Sequence, residues 1–257
     1  ELVEGACTVQ AALELAMGLL CTSEGDVPCY TCASCRKVLH HAHPDLSIVL
    51  PLVLGREHRS NNSLSQAGWE YIAEQVRGRI EEPYMPPARE GIPTVPVEWV
   101  REVTQAVHRG ASAGQVNVAI LCGVDMMNKE SCNAMLKTLE EPPAGSVLLL
   151  CTEAAHAVLP TIQSRCQVLR FGRLTDDEVA DGLRKRCGDS LDPETVGLAL
   201  ETAQGSLGVA LQMVATPEME VMQQAKRLWE LVHEPDELVM ADGLEEISRE
   251  LNAGQCE

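Results

Sequence analysis

The sequence predicts an α/β fold in which strands and helices alternate to about residue 171 and then give way to helices alone. Three observations carry that prediction. Two apolar runs of strand length, VNVAILC at 116–122 and SVLLLCT at 146–152, are separated by a segment with helical spacing. Strands that alternate with helices pack as a parallel sheet covered by those helices. Beyond Phe171 the strand-like runs stop, and capping and glycine signals punctuate the chain instead.

Each element has its own reason. Residues 8–20, TVQAALELAMGLL, place apolar side chains at helical spacing and are rich in Ala and Leu. Residues 46–53, LSIVLPLV, read as a buried strand interrupted by Pro51. Residues 55–93 are polar and rich in Gly, Pro, Glu and Arg, which reads as an insertion carrying a helix around Trp69–Val76. Val97, Val100, Val103 and Val107 space out a helix over 96–108. A helix over 128–139 is stopped by Glu140, Glu141, Pro142 and Pro143, because proline cannot continue it. Residues 167–171 give a further strand. Thr175 with Glu178 three residues on forms a capping box that opens the helical part. Met126, Met127 and Met135 read as core, and Trp69 and Trp99 as isolated rings that make no stacking platform for bases.

The chain has 257 residues and a formal charge of -18, with 45% hydrophobic and 23% charged residues. That is a globular composition with length for a real core. The acidic balance excludes a broad DNA-gripping surface, which needs clustered Lys and Arg. The longest nearly apolar stretches, such as 147–151, fall far short of the ~20 residues of a membrane span. Glu1 and Glu4 stand where a secretory leader would be basic, so the expectation is a cytoplasmic protein with no membrane partner.

Eleven cysteines divide into two kinds. Cys7, Cys122, Cys132, Cys151, Cys166, Cys187 and Cys256 are scattered and read mostly as small packing side chains. Cys21, Cys29, Cys32 and Cys35 form a C-x7-C-x2-C-x2-C cluster. Four thiolates satisfy tetrahedral zinc, and C-x2-C lets two sulfurs reach one ion from a tight turn. Gly25 and Pro28 can return the first ligand to the others. Disulfides and a redox C-x2-C pair compete, but nothing marks a secreted chain, and a redox pair has no need of Cys21. Four thiols fill the coordination sphere, so the expected zinc is structural. His40, His41 and His43 follow closely as possible substitute ligands.

Two stretches carry a family resemblance: NAMLKTLEEPP at 133–143 and LPTIQSRC at 159–166. With the four-cysteine module and the triplet His43-Pro44-Asp45, the chain closely resembles the bacterial DNA polymerase III clamp-loader subunits of the AAA+ superfamily. The resemblance spans about residues 1–215 in the family's order. It implies a P-loop NTPase-like AAA+ domain at 1–172 with the zinc module at 21–35 and the insertion at 55–93, a helical lid at 173–213, and the start of a helical collar at 214–257. That last segment is the most acidic, with eleven acidic against three basic side chains.

The resemblance also shows what is missing. Hydrolysing members carry a Gly-Lys-Thr phosphate loop, whose lysine reaches the β and γ phosphates; here residues 4–10 read EGACTVQ, without lysine. Acidic residues normally close the strand that holds magnesium, where this chain has Cys122 and Gly123. Asp125 lies beyond them and reads as a helix-entry or surface carboxylate. Gly208 takes the place of the lid arginine. The expectation is no ATP binding and no ATPase activity. Thr152 aligns with the family's γ-phosphate sensor but reads as a strand-end hydrogen bonder.

What remains is Ser164-Arg165-Cys166. In the family this arginine enters the neighbouring subunit's nucleotide site, where a guanidinium spreads positive charge onto the transition state. The competing reading pairs Arg165 with Glu140 or another carboxylate. A chain without its own ATP site but with Arg165 as a trans-acting finger, flanked by Ser164 and Cys166, resembles the delta-prime type. The implied partners are gamma/tau and delta clamp-loader subunits, with the sliding clamp and primer-template DNA reached through the complex, in a bacterial replisome associated with the nucleoid. The alternative is an ATP-hydrolysing gamma/tau-type subunit whose nucleotide loop is missing from the sequence. A free-standing zinc scaffold is a third reading.

Overall fold

The computed structural model describes residues 2–5, 8–60, 63–84, 92–114, 116–188 and 191–215. Its centre is a five-stranded parallel sheet built from β1 (Leu2–Gly5), β2 (Leu46–Val49), β5 (Asn117–Cys122), β6 (Ser146–Thr152) and β7 (Val168–Phe171). The order across the sheet is β2-β5-β6-β1-β7. Register is parallel throughout, with Leu121 beside Leu150, Cys122 beside Cys151, and Glu4 between Thr152 and Arg170. Two further short strands, β3 (Arg59–Ser60) and β4 (Ser63–Leu64), form a separate antiparallel pair. The α/β class and the parallel sheet are as the sequence predicts.

All six residues of β5 are buried. Burial without alternation means both faces of the strand are covered, as in parallel sheets flanked by helices. Helix α1 (Thr8–Leu20) packs against β5 and β6, turning Ala12, Leu13, Ala16, Met17 and Leu20 inward. The next helix, α2 (Ala33–Leu39), belongs to the cysteine knuckle. The insertion holds α3 (Gln66–Glu81), opened by the Ser65 hydroxyl accepting from the Gly68 N–H at 3.1 Å. Helix α4 (Val97–Arg109) lies on β2 and β5 and packs on α5 (Lys129–Glu140), burying Val100, Val103 and Val107. Asn128 caps α5 by accepting from the Ser131 N–H at 2.8 Å. A short helix, α6 (Pro160–Gln163), precedes the last strand.

Several elements depart from expectation. The second strand ends at Val49; beyond it only Leu52 pairs, bridging to Thr94, because Pro51 has no N–H for a ladder. Helix α3 runs well past Trp69–Val76 at both ends. Met135 is fully buried, but Met126 is 41% exposed and is not core. Cys122, Cys132 and Cys151 are buried as packing residues, whereas Cys187 is exposed. Cys7 and Cys256 lie outside the described residues.

Residues 1–174 form one unit and 175–257 a second. The second contains α7 (Asp176–Cys187), α8 (Pro193–Ala203) and α9 (Leu207–Ala215). The capping box is present: the Glu178 N–H donates to Thr175 Oγ1 at 3.3 Å, and the Thr175 N–H donates to Glu178 at 2.8 Å. Acidic residues fill the first turn of α7, and Arg184, Lys185 and Arg186 the last, matching the helix dipole at both ends. Gly182 lets α9 approach, since a Cβ there would stand 2.8 Å from the Leu207 methyls. The segment expected to begin a collar, 214–257, lies outside the described residues after Ala215.

Candidate functional site

The knuckle is assembled from two helix ends. Cys21 follows α1 directly, Cys32 is the N-cap of α2, and Cys35 sits buried within its first turns. The four sulfurs lie within 4.8 Å of one another. Three of their separations are 3.6 Å (Cys21–Cys29), 3.9 Å (Cys21–Cys32) and 4.0 Å (Cys29–Cys35). A tetrahedron with metal–sulfur bonds of 2.3 Å has edges of about 3.8 Å, whereas a disulfide needs ~2.05 Å. The group could therefore hold a metal ion, and none of its pairs is a disulfide.

Backbone donors point at the sulfurs as they would at thiolates. The Cys32 N–H donates to Cys29 Sγ and the Cys35 N–H to Cys32 Sγ, both at 3.3 Å, and the Ser23 N–H reaches Cys21 Sγ at 3.5 Å. The first two donors are the leading reason that Cys29 and Cys32 ionise more readily than an ordinary thiol. Burial pushes the Cys35 thiol the other way. A cation among the four is what would favour all of them as thiolates.

The triplet His43-Pro44-Asp45 ties this knuckle to the sheet. His43 Nδ1 accepts from the Asp45 N–H at 3.2 Å, so the ring proton sits on Nε2. That N–H faces Ser34 Oγ at 2.9 Å, and the Ser34 hydroxyl donates to the carbonyl of Leu20. Ser34 adjoins Cys35 and Leu20 adjoins Cys21, so one histidine braces two cysteine-bearing segments. His43 is thus occupied as a spacer and lies outside the four-cysteine group. Asp45 is 1% exposed and holds the 112–114 turn. It accepts from the Ser112 N–H at 2.6 Å, the Ser112 hydroxyl at 2.8 Å and the Ala113 N–H at 2.9 Å. Burial works against its charge, but these donors outweigh burial and hold its carboxyl below the usual range.

Ligands in open α/β sheets bind beyond the carboxyl ends of the strands. There β5 ends at Cys122, which is 3% exposed. Gly123 follows at φ +63°, and a Cβ on it would stand 2.8 Å from Pro51 Cγ. A side chain at this position would be strained by the backbone angle and crowded by Pro51. Asp125 accepts from the Thr152 hydroxyl at 2.6 Å, while the Ala154 N–H donates to that same hydroxyl at 3.0 Å. Asp125 and Thr152 therefore satisfy each other across the ends of β5 and β6. Gly208 is buried in α9. Ala6 and Cys7 of the first nucleotide stretch lie outside the described residues.

Arg165 follows α6. Gln163 Nε2 anchors that helix by donating to the carbonyls of Ala155 at 2.7 Å and Val158 at 2.8 Å, and Ile162 is fully buried beneath. The Arg165 side chain is 33% exposed and lines a shallow cleft with Leu139, Glu140 and Ser164. Its Nε and Nη2 donate to Glu140 Oε1 at 3.0 Å and 2.6 Å, and Nη1 donates to the Thr161 carbonyl at 2.7 Å. The residue-chemistry alternative, an ion pair with Glu140, is thus present in the free chain. Ser164 Oγ accepts from Arg165 Nη1 at 3.2 Å. Cys166 is half-buried against the core, and burial raises its thiol above the ordinary value.

Sequence reasoning grouped the four cysteines, which the structure brings together, and named Glu140 only as a competing partner of Arg165, the pairing seen here. It did not find Ser34, whose only signal is its place beside Cys35, nor the pairing of Asp125 with Thr152. No helix among the described residues is long and apolar enough to cross a membrane.

Comparison with known proteins adds identity to the geometry. The family model described as DNA polymerase III, delta subunit, matches residues 2–175. DNA polymerase III subunit delta' of Haemophilus influenzae is 26% identical over 166 residues, covering 65% of this chain and 39% of that protein. Subunit delta' of Bacillus subtilis is 25% identical over 232 residues, 90% of this chain and 57% of that protein. Subunit gamma of Buchnera aphidicola is 31% identical over 121 residues, 46% of this chain and 33% of that one. The chain spans between about one third and three fifths of the length of these relatives.

Proposed function

The chain belongs to the DNA polymerase III delta subunit family, and from that premise we propose that it is a clamp-loader subunit of the delta-prime type that does not hydrolyse ATP. In this reading it acts as a stator and supplies Arg165 to the nucleotide bound by a neighbouring ATPase subunit. The supporting observation is the end of β5, where buried Cys122 and the cramped Gly123 stand in the place of magnesium-binding carboxylates. Phosphoryl transfer is catalysed almost entirely by positioning and charge. A site without those carboxylates lacks the acidic residues that fix the metal. Asp125, the nearest acid, is already tied to Thr152.

Arg165 carries the other half of the proposal. It is water-accessible, held just after an anchored helix, and bordered by a shallow cleft. A guanidinium there would meet γ-phosphate oxygens with a fixed fork of donors. The unit of residues 1–174 is read as the AAA+ domain and the helices after Thr175 as the lid, with 214–257 opening a collar. The four cysteines are read as ligands of one structural zinc, which would pin the knuckle and leave no open position for chemistry. Gamma/tau and delta subunits are the expected neighbours, and clamp and primed DNA are engaged through the assembly, in the bacterial cytoplasm.

The likeness to a gamma subunit keeps a hydrolysing chain as the second reading. Equilibrium titration of the intact isolated chain with ATP and magnesium separates the two. The stator reading expects no binding at physiological ATP; tight, magnesium-dependent binding supports the hydrolysing one.

A further inference from the structure

Four of the five guanidinium N–H groups of Arg165 are engaged within its own chain. Nε–H and one Nη2–H meet a single oxygen, Glu140 Oε1, and Nη1 divides between the Thr161 carbonyl and Ser164 Oγ. An arginine so occupied has one donor left for a phosphate. Contact with a γ-phosphate through two donors therefore requires one of these partners to let go. The Thr161 carbonyl belongs to α6 itself and moves only with the helix. Glu140 is the last residue of a different helix, α5, with its side chain 49% exposed.

An exposed pair of this kind is held weakly because water screens it. A triphosphate bears more negative charge than a carboxylate, and its oxygens can accept both donors of that guanidinium edge. Both anions would use the Nε/Nη2 edge, so they exclude each other there. We propose that Glu140 is a latch on Arg165: it parks the guanidinium in the free subunit and yields it to the neighbour's triphosphate. Glu140 is then a positioning residue that sets how readily the finger engages, while the chemistry stays with Arg165. The latch rests on the trans-arginine reading above.

The test uses Glu140→Gln, which keeps size and hydrogen bonding but removes the charge. ATP hydrolysis is followed in the reconstituted clamp loader with clamp and primed DNA, as the component of turnover that Arg165→Ala removes. The latch predicts that Glu140→Gln lowers the KM for ATP of that component by roughly two- to five-fold, leaving kcat unchanged. In an Arg165→Ala background the same substitution is silent. A raised KM, a lowered kcat, an unchanged KM, or an effect that survives loss of Arg165 overturns the proposal. A second readout is independent of the complex: in the isolated chain, solvent exchange of the Arg165 Nε–H, followed by nitrogen NMR, is faster in Glu140→Gln. Equal exchange in both proteins overturns the latch while leaving the finger standing. If exchange differs but Arg165→Ala leaves turnover untouched, the finger itself has failed, and the latch falls with it.

Discussion

His43 Nε2 stands 2.9 Å from the hydroxyl of Ser34, a contact that links the cysteine knuckle to the segment leading into the strand that begins at Leu46. The histidine has to be neutral to serve, because its Nδ1 accepts the Asp45 N–H while its Nε2 donates. Burial lowers its pKa below 6.5, with Lys37 adding to that shift and the Asp45 carboxylate opposing it. For a base whose folded pKa is depressed, the stabilisation is full above the unfolded value and is lost as pH falls through the folded one. We therefore expect His43→Gln to cost about 1–2 kcal/mol at pH 7.5, two hydrogen bonds being lost or weakened. The difference between wild type and variant should shrink below pH 6.5. Chemical denaturation at a series of pH values measures it; a gap that widens with acid would show that the ring works as a cation.

Asp45 should matter more than its small size implies. Removing its carboxylate in Asp45→Ala strands the N–H groups of Ser112 and Ala113, each of which donates to it. The expected cost is about 2–4 kcal/mol. A melting temperature within a degree of wild type would remove Asp45 from this role.

Zinc is expected at one ion per chain, and chelation or Cys35→Ser should destabilise the residue 1–174 unit. The loss should be at least about 3 kcal/mol, yet short of the ~10–16 kcal/mol that zinc-finger peptides gain, because the sheet has a core of its own. Elemental analysis of protein purified without chelator checks occupancy, and a metal-free protein of unchanged stability would contradict the assignment.

Restoring an acid at the end of β5 should not restore a nucleotide site. Gly123→Asp places a side chain at φ +63° and against Pro51. It should cost about 1–3 kcal/mol without conferring magnesium-dependent ATP binding. Calorimetry with ATP and magnesium decides it: binding by the folded variant would mean that the pocket is otherwise intact.

Much of this was legible in the sequence because the signals were local. Thr8–Leu20 and Ser146–Thr152 carry their own patterns, and four closely spaced cysteines need only a turn to meet. Less visible features depend on partners distant in sequence. Leu2–Gly5 is too short to read as a strand until it lies between β6 and β7. Helix α2 hides inside the C-x2-C spacing, since Cys35 and Ser34 take buried positions where an apolar stripe would show aliphatic residues. Met126 stands in a short turn after β5, where chain direction and not side-chain type decides exposure. The pairing of Asp125 with Thr152, 27 residues apart, follows only from the parallel register that sets the ends of β5 and β6 side by side.

The most direct measurement is steady-state ATP hydrolysis by the reconstituted clamp loader containing Arg165→Ala, with the variant's folding and incorporation confirmed. A finger supplied in trans contributes ~10³-fold or more at the site it serves. The substitution should therefore silence one class of ATP sites and lower total turnover by that share. Undiminished turnover with the variant fully incorporated would contradict the account.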